Sequence, residues 1–223
     1  WRPVAEPRDA RFPVSLTTGR LRDQWHGMSR SGTLGRLFAH TPEPTLDLHP
    51  QELARRRWRE GELVRVRSRR GTLVLPVRAC EDVAPAQAFV AMHWGPEWMA
   101  GDGVNALMPS ASCPQSRQPE LKHAAVRLEP AGLDWGLMAA AWLPADEALV
   151  LQQRLRAEFG RYGYAVCVPF GREADGERDG DTRVGLLFRA ARPAAPAADE
   201  LAALVAPLEA AWGLAGAGAL RYA

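Results

Sequence analysis

Short runs of alternating apolar and polar residues, separated by glycine-containing turns, restrict most strongly how this chain can fold. The clearest run surrounds the turn Arg69-Arg70-Gly71. A two-residue period places alternate side chains on opposite faces of a strand, so the pattern predicts a β-hairpin with one buried face. The apolar positions of this hairpin are Val64, Val66, Leu73, Leu75 and Val77.

Residues 12–130 contain further strand-like segments and one helix-like segment. Strands are expected at Pro13–Thr17, ending at Gly19, at Gln87–His93 and at Lys122–Leu128. A helix is expected over Leu48–Trp58, because Pro50 suits its first turn and Gly61 ends it. So short a sheet leaves exposed edges unless it closes, and we therefore expect a closed β-barrel over residues 12–130.

Residues 131–223 show a different order of elements. The expected strands are Gly136–Leu143, Tyr162–Pro169 and Thr182–Ala190, and the expected helices are Ala145–Phe159 and Asp199–Trp212. A β-α-β-β-α order predicts a separate small α+β unit after the barrel.

Composition and residue spacing exclude several kinds of protein. The longest apolar run, Leu137–Leu143, is far shorter than the roughly 20 residues that cross a bilayer, so we expect no membrane span. The cysteines and histidines lack metal-ligand spacing, so we expect no metal held by this chain alone. Reduced cysteines favour a cytoplasmic protein. The chain begins at Trp1 without a secretory signal, and we interpret it as a piece of a longer polypeptide.

Charge favours an anionic ligand in the first part of the chain. The formal net charge is +2, and residues 1–130 carry 19 Lys+Arg against 14 Asp+Glu. This excess is smaller than that of a typical nucleic-acid-binding surface, so we expect no nucleic-acid partner. Lys122 is the only lysine among 28 basic residues.

The sequence Thr17-Thr18-Gly19-Arg20 follows the first expected strand. It offers two hydroxyl groups, a glycine that permits close backbone approach, and a guanidinium that can bind a phosphate through two nitrogens. These groups are suited to binding a diphosphate, although an ordinary turn in which Arg20 pairs with a carboxylate is the simpler alternative. Trp25 and His26 follow in the same loop and could contact a heterocycle.

Three later residues could complete such a site. Asn105, in the long loop Trp94–Glu120, can form paired hydrogen bonds with a heterocycle, and Lys122 can place a charge beside phosphate. Asn105 could equally stabilise a turn, and Lys122 could be a solvated surface charge. His93 ends a buried strand, where a histidine is more often a hydrogen-bonded core residue than a ligand contact.

Three motifs in order resemble one enzyme family. They are FPVSLTTGRLRDQWHGMSRSG at residues 12–32, the hairpin GELVRVRSRRG at residues 61–71, and VNALMPSASCPQSRQPELK at residues 104–122. Together they resemble the C-terminal dinucleotide-binding domain of molybdenum oxidoreductases that carry bis-molybdopterin guanine dinucleotide (bis-MGD). Within this family the motifs are most similar to those of assimilatory nitrate reductase catalytic subunits.

The resemblance implies a fold and a set of contacts. It implies a mainly β fold, a six-stranded double-psi β-barrel at residues 12–130, followed by the small α+β unit at residues 131–223. It also implies that the segment Thr18–Gly27, Asn105 and Lys122 contact the dinucleotide and that His93 lies near it. The implied cofactor-binding residues are Thr18, Gly19, Arg20, Gln24, Trp25, His26, Gly27, His93, Asn105 and Lys122. Gly27 and Cys113 depart from the family pattern, in which Thr and Asp are frequent at these positions.

The implied activity is the reduction of nitrate to nitrite by a cytoplasmic enzyme. The family places a [4Fe-4S] cluster in N-terminal domains of the same polypeptide, and some members carry a [2Fe-2S] cluster in a further C-terminal domain. Electrons would come from an NADH-dependent reductase subunit, a ferredoxin or a flavodoxin. No catalytic residue is assigned to this chain, which is expected to be inactive alone. A fragment of formate dehydrogenase or of another bis-MGD oxidoreductase, and a cofactor-free barrel that binds other proteins, remain alternatives.

Overall fold

The computed structural model describes residues 2–174, 182–214 and 219–222. The chain forms two compact units, each built from several segments. The first unit contains the described parts of Trp1–Leu21, Pro44–Gly95 and Gly101–Ala131. The second unit contains the described parts of Arg22–Glu43, Pro96–Ala100 and Gly132–Ala223.

The first unit is a closed six-stranded β-barrel. Its strands are β1 (Val14–Gly19), β2 (Leu46–Leu48), β3 (Leu63–Arg67), β4 (Thr72–Ala79), β5 (Gln87–Ala91) and β6 (His123–Pro130). Around the barrel they follow the order β1-β5-β2-β4-β3-β6. The pairs β1–β5 and β2–β4 are parallel, and the other described pairs are antiparallel. This arrangement confirms the predicted double-psi β-barrel.

Alternate apolar side chains form the core of the barrel. In the hairpin formed by β3 and β4, Val64, Val66 and Leu75 are fully buried. The arginines that alternate with them, Arg65 and Arg67, are half-buried and exposed respectively. The two-residue period therefore corresponds to the inside and the outside of the barrel.

The helix between β2 and β3 is shorter than the sequence predicts. It is α1 (Pro50–Arg56), and Leu48, which was expected to begin it, instead belongs to β2. His49 caps the helix, because its Nδ1 accepts a hydrogen bond of 3.1 Å from Gln51 N. The helix ends before Arg57, whose φ of 59° is left-handed, rather than continuing to Trp58.

The second unit contains a four-stranded antiparallel sheet and two helices. Its elements are β7 (Trp135–Pro144), α2 (Ala145–Arg156), β8 (Tyr164–Ala174), β9 (Thr182–Arg192), α3 (Ala198–Leu214) and β10 (Ala219–Tyr222). The strand order is β10-β7-β9-β8, and α2 packs against both β9 and α3. Leu155, Phe188 and Leu208 are completely buried in its core. Within the described residues, no helix has the length and apolarity needed to span a membrane.

Candidate functional site

Three strands bring their ends together at one end of the barrel. The parallel strands β1 and β5 finish side by side, with Gly19 paired to Ala91. Strand β6 runs in the opposite direction and begins next to them, with His123 paired to Thr17. The residues that follow β1 and β5 and the residue that precedes β6, Lys122, therefore lie at the same end.

Backbone hydrogen bonds hold the segments that leave β1 and β5 against each other. Met92 N donates to Gly19 O over 2.9 Å, and Leu21 N donates to His93 Nε2 over 2.9 Å. His93 is only 1% exposed. It therefore supports the loop after β1 from a buried position, as expected of a hydrogen-bonded core histidine, and its proximity to a cofactor stays a prediction.

The threonine hydroxyl groups expected to face a ligand are used within the barrel. Thr17 Oγ1 donates to Ala88 O over 3.0 Å, and Thr18 Oγ1 donates to Leu121 O. Each hydroxyl has a single proton, so neither can also donate to a phosphate in this arrangement. The hydrogen bond of Thr18 instead connects the end of β1 to Leu121, the residue before Lys122.

Packing inside this unit favours glycine at position 19. A methyl group at Gly19 would lie 2.8 Å from Phe89 Cε2, which is closer than carbon atoms can approach without a shift of the ring. The glycine was predicted because a ligand could approach its backbone. The structure gives a second reason, which is the aromatic ring of the neighbouring strand.

Asn105 is brought to the same barrel end by a short 3-10 helix, Val104–Leu107. Val104 N donates to Trp94 O over 3.0 Å. Gly103 packs so closely that an added methyl group would lie 2.8 Å from both Trp94 O and Gly95 Cα. The helix is therefore fixed beside the residues that follow β5, and Asn105 is exposed.

Arg20 and Lys122 provide positive charge at this end. Both are exposed, and Lys122 Nζ lies 3.9 Å from Met92 Sδ. Within the part of the chain that the structure describes, neither side chain forms an ion pair with a carboxylate. The simpler alternative for Arg20, pairing with a carboxylate in a turn, is thus not observed among those residues. Two cations without neutralising partners attract an anion.

The remaining predicted residues belong to the second unit. Gln24 is only 7% exposed, and its Oε1 accepts a hydrogen bond of 2.6 Å from Ser31 Oγ. Gln24 Nε2 donates to Leu37 O over 3.2 Å. Gln24 therefore organises its own loop, and its contact with a cofactor stays a prediction.

Trp25, His26 and Gly27 lie on the surface of this unit. Trp25 is 47% exposed, and its ring meets that of His26 edge to face at 4.6 Å. An exposed aromatic ring can stack on a planar heterocycle. The position of Gly27 leaves room for a side chain, since no atom lies within 4 Å of an added methyl group.

Sequence reasoning missed the residues that hold the predicted binding residues in place at this end of the barrel. Met92, Phe89 and Gly103 each contact a predicted residue or hold its segment. Gly103 had a local signal, because glycine is typical of a left-handed turn. Phe89 and Met92 had none, because their role depends on strands that are distant in sequence.

The fold and these side chains define a double-psi β-barrel with two exposed cations, Arg20 and Lys122, at one end. A family model described as "Molydopterin dinucleotide binding domain" matches residues 14–125, and the chain belongs to this family. A nitrate reductase from Klebsiella oxytoca is 38% identical over 143 residues, which are 64% of this chain and 15% of that protein. A nitrate reductase from Synechocystis sp. is 39% identical over 129 residues, or 58% of this chain and 18% of that protein.

The chain thus spans less than a fifth of the length of these curated relatives. Among solved structures, acetylene hydratase from Pelobacter acetylenicus is similar with a TM-score of 0.42 and 19% identity. That similarity covers 53% of this chain and 18% of the hydratase chain.

Proposed function

We propose that this chain is the C-terminal cofactor-binding part of a molybdenum-dependent nitrate reductase and binds bis-MGD. The observation that carries the proposal is the arrangement of Arg20, Asn105 and Lys122 at one end of the barrel. Two unneutralised cations suit the diphosphate of a dinucleotide, and an exposed carboxamide suits the edge of a guanine base. The donors of this barrel end therefore fit the cofactor.

Each residue would have a distinct task. Arg20 would bind phosphate oxygens through two nitrogens, Lys122 would supply a point charge, and Asn105 would bind the base. Within the second unit, Trp25 and His26 offer aromatic contacts. When bound, the cofactor supplies molybdenum chemistry that transfers two electrons and two protons to nitrate, giving nitrite and water.

Further contacts belong to the same proposal. In the first unit, Gly19 and the backbone around Thr18 would border the cofactor, and His93 would hold the loop after β1. In the second unit, Gln24 would hold its own loop, and contact of Gln24 and Gly27 with the cofactor stays a prediction of the resemblance. No catalytic residue is assigned to this chain, and we expect the isolated chain to be inactive.

The proposal extends to the rest of the enzyme. N-terminal domains of the same polypeptide would hold a [4Fe-4S] cluster. A further C-terminal domain, as in some members of the family, would hold a [2Fe-2S] cluster. An NADH-dependent reductase subunit, a ferredoxin or a flavodoxin would donate electrons. A cytoplasmic enzyme of nitrate assimilation fits the reduced state of Cys80, Cys113 and Cys167, which are free thiols.

Arg20→Ala and Lys122→Ala test the proposal in the holoenzyme. A hydrogen bond to a charged group contributes about 1.5–3 kcal/mol, so each variant should weaken cofactor binding by roughly 10- to 100-fold. Molybdenum and guanine nucleotide per chain, measured by metal analysis and mass spectrometry, should both decrease while the circular dichroism spectrum is unchanged.

Arg59→Ala is the matched control, because Arg59 is an exposed arginine that precedes β3 at the opposite end of the barrel. Normal molybdenum and nucleotide content in both test variants would contradict the assignment of the site. An unmodified enzyme without any guanine dinucleotide would support the cofactor-free barrel. Formate oxidation without nitrate reduction would instead support a formate dehydrogenase.

A further inference from the structure

The turn between β3 and β4 packs directly against the helix that carries Asn105. A methyl group added at Gly71 would lie 2.7 Å from Ala106 O, so only glycine allows this approach. Ser68 Oγ accepts hydrogen bonds from Arg70 N at 3.1 Å and from Gly71 N at 3.2 Å. Ser68 is only 3% exposed. Because these two hydrogen bonds are made by a buried side chain, the turn supports the neighbouring helix in a fixed position.

The side chain of Arg70 joins this helix to the N-terminal segment. Arg70 Nε donates to Met108 O over 2.6 Å, and Nη2 approaches Leu107 O at 3.4 Å. Its two terminal nitrogens also bind the two carboxylate oxygens of Glu6, one of them at 2.8 Å. Carbonyl groups at the end of a helix lack partners within the helix, and Arg70 supplies one here.

Glu6 is itself held in place by the barrel. Its carbonyl oxygen lies 3.1 Å from His123 Nε2, and His123 Nδ1 lies 2.9 Å from Ser15 Oγ on β1. The hydrogen bond from Arg70 lowers the pKa of Glu6 below its ordinary value of 4.5, so the carboxylate is ionised at neutral pH. Arg70 is therefore bound between a fixed anion and the end of the helix.

We propose that Arg70 is a positioning residue for Asn105, and this inference rests on the proposed role of Asn105 in binding the cofactor. The contact of Gly103 and Val104 with Trp94 fixes the beginning of the helix, and Arg70 fixes its end. Asn105 lies between these two points. Loss of Arg70 would leave the end of the helix without its hydrogen bonds and would allow the carboxamide of Asn105 to move.

Hydrogen–deuterium exchange of the chain without cofactor measures this support directly. Arg70→Lys keeps the charge but cannot bind Glu6 and the two carbonyl groups together. Amides of residues 105–108 should exchange about tenfold faster, since local stability controls opening. Arg69→Lys is the matched control, because Arg69 lies in the same turn and pairs with Glu6 and Asp9, but forms no bond to Leu107 or Met108 in the described structure. Unchanged exchange in Arg70→Lys would overturn the inference.

A double-mutant cycle in the holoenzyme separates positioning from a general loss of stability. Arg70→Lys should speed cofactor release about tenfold, as other orienting residues do. In an Asn105→Ala background the same substitution should change release by less than about twofold, because Arg70 acts through Asn105. Equal effects in both backgrounds would overturn the positioning role while leaving the proposed function intact. Unchanged release in Asn105→Ala alone would instead overturn the proposed role of Asn105, and the inference with it.

Discussion

At the scale of single residues, Gly103 has a conformation that other residues rarely adopt. Its φ is 73° and its ψ is −179°, and a methyl group there would collide with backbone atoms of Trp94 and Gly95. Strain of this kind costs about 1–3 kcal/mol. Gly103→Ala should lower the free energy of unfolding by at least that amount, measured by urea denaturation.

Gly27 provides the comparison for Gly103. It has free space around it, so Gly27→Ala should change the free energy of unfolding by less than about 0.5 kcal/mol. Equal destabilisation by the two substitutions would show that the packing around Gly103 is not the cause.

Residue type indicates which side chains could bind a ligand at the barrel end, and their contact with a cofactor stays a prediction, but residue type does not show how the other side chains are used. Arg20, Asn105 and Lys122 have chemistry that is legible in the sequence, and the structure places them at one end of the barrel. The hydroxyl partners of Thr17 and Thr18 lie 71 and 103 residues away along the chain. Such contacts depend on strand order, which single-sequence patterns do not specify.

At the scale of elements, the segment Arg22–Glu43 is attached to its sheet through Glu43. Tyr164 Oη donates to Glu43 Oε2 over 2.8 Å, and Arg189 Nη1 donates to Glu43 Oε1 over 2.8 Å. Tyr164 is 1% exposed, and burial raises the pKa of its phenol well above the ordinary value. The contact therefore joins the end of this segment to the interior of the second unit.

Tyr164→Phe should loosen this segment. The variant removes a donor to a partly buried carboxylate, which costs about 1.5–3 kcal/mol, and exchange of the hydrogen-bonded amides within residues 37–41 should become faster. Tyr162→Phe is the matched control, because the buried Tyr162 hydroxyl has no hydrogen-bond partner among the described residues. If both variants had the same stability and exchange, the bond to Glu43 would not be what holds the segment.

The predicted elements agree best where a strand or helix is long enough to show its period. Strands β7 and β9 and helix α2 lie within a few residues of their predicted bounds. Strand β2 was missed because three residues, Leu46–Leu48, do not establish a period. Pro50, a residue typical of a helix start, also lies only two residues after Leu48.

At the scale of the whole molecule, arginine partners make stability depend on ionised carboxylates. The hydrogen bond from Arg70 lowers the pKa of Glu6, and the hydrogen bond from Arg22 lowers that of Asp23. Burial alone raises the pKa of Glu52, but Arg55 and Arg56 outweigh it and the net shift is downward. Both units therefore contain carboxylates that release their protons more readily when folded.

Acid should therefore destabilise the chain in a defined range. A carboxylate with a lowered pKa contributes its full stabilisation above the unfolded value, which is 4.5 for Glu and 3.8 for Asp, and loses it as the pH falls through the folded value. The free energy of unfolding, measured by urea denaturation, should be constant near neutral pH and fall steadily below about pH 4.5.

Substitution of the paired carboxylates tests the cause of this acid sensitivity. Glu52→Gln should lower the free energy of unfolding at pH 7. It should also make the fall of that free energy below about pH 4.5 less steep, because the glutamine side chain does not bind a proton in this range. Glu81→Gln is the control, since Glu81 is exposed and forms no ion pair within the described residues. If the free energy of unfolding fell equally steeply with acid in Glu52→Gln and in the unsubstituted chain, the ion pairs of Glu52 with Arg55 and Arg56 would not contribute to the acid sensitivity. The cause would then lie in other carboxylates, of which Glu6 is the first to substitute, because its pairing with Arg70 also supports the helix that carries Asn105.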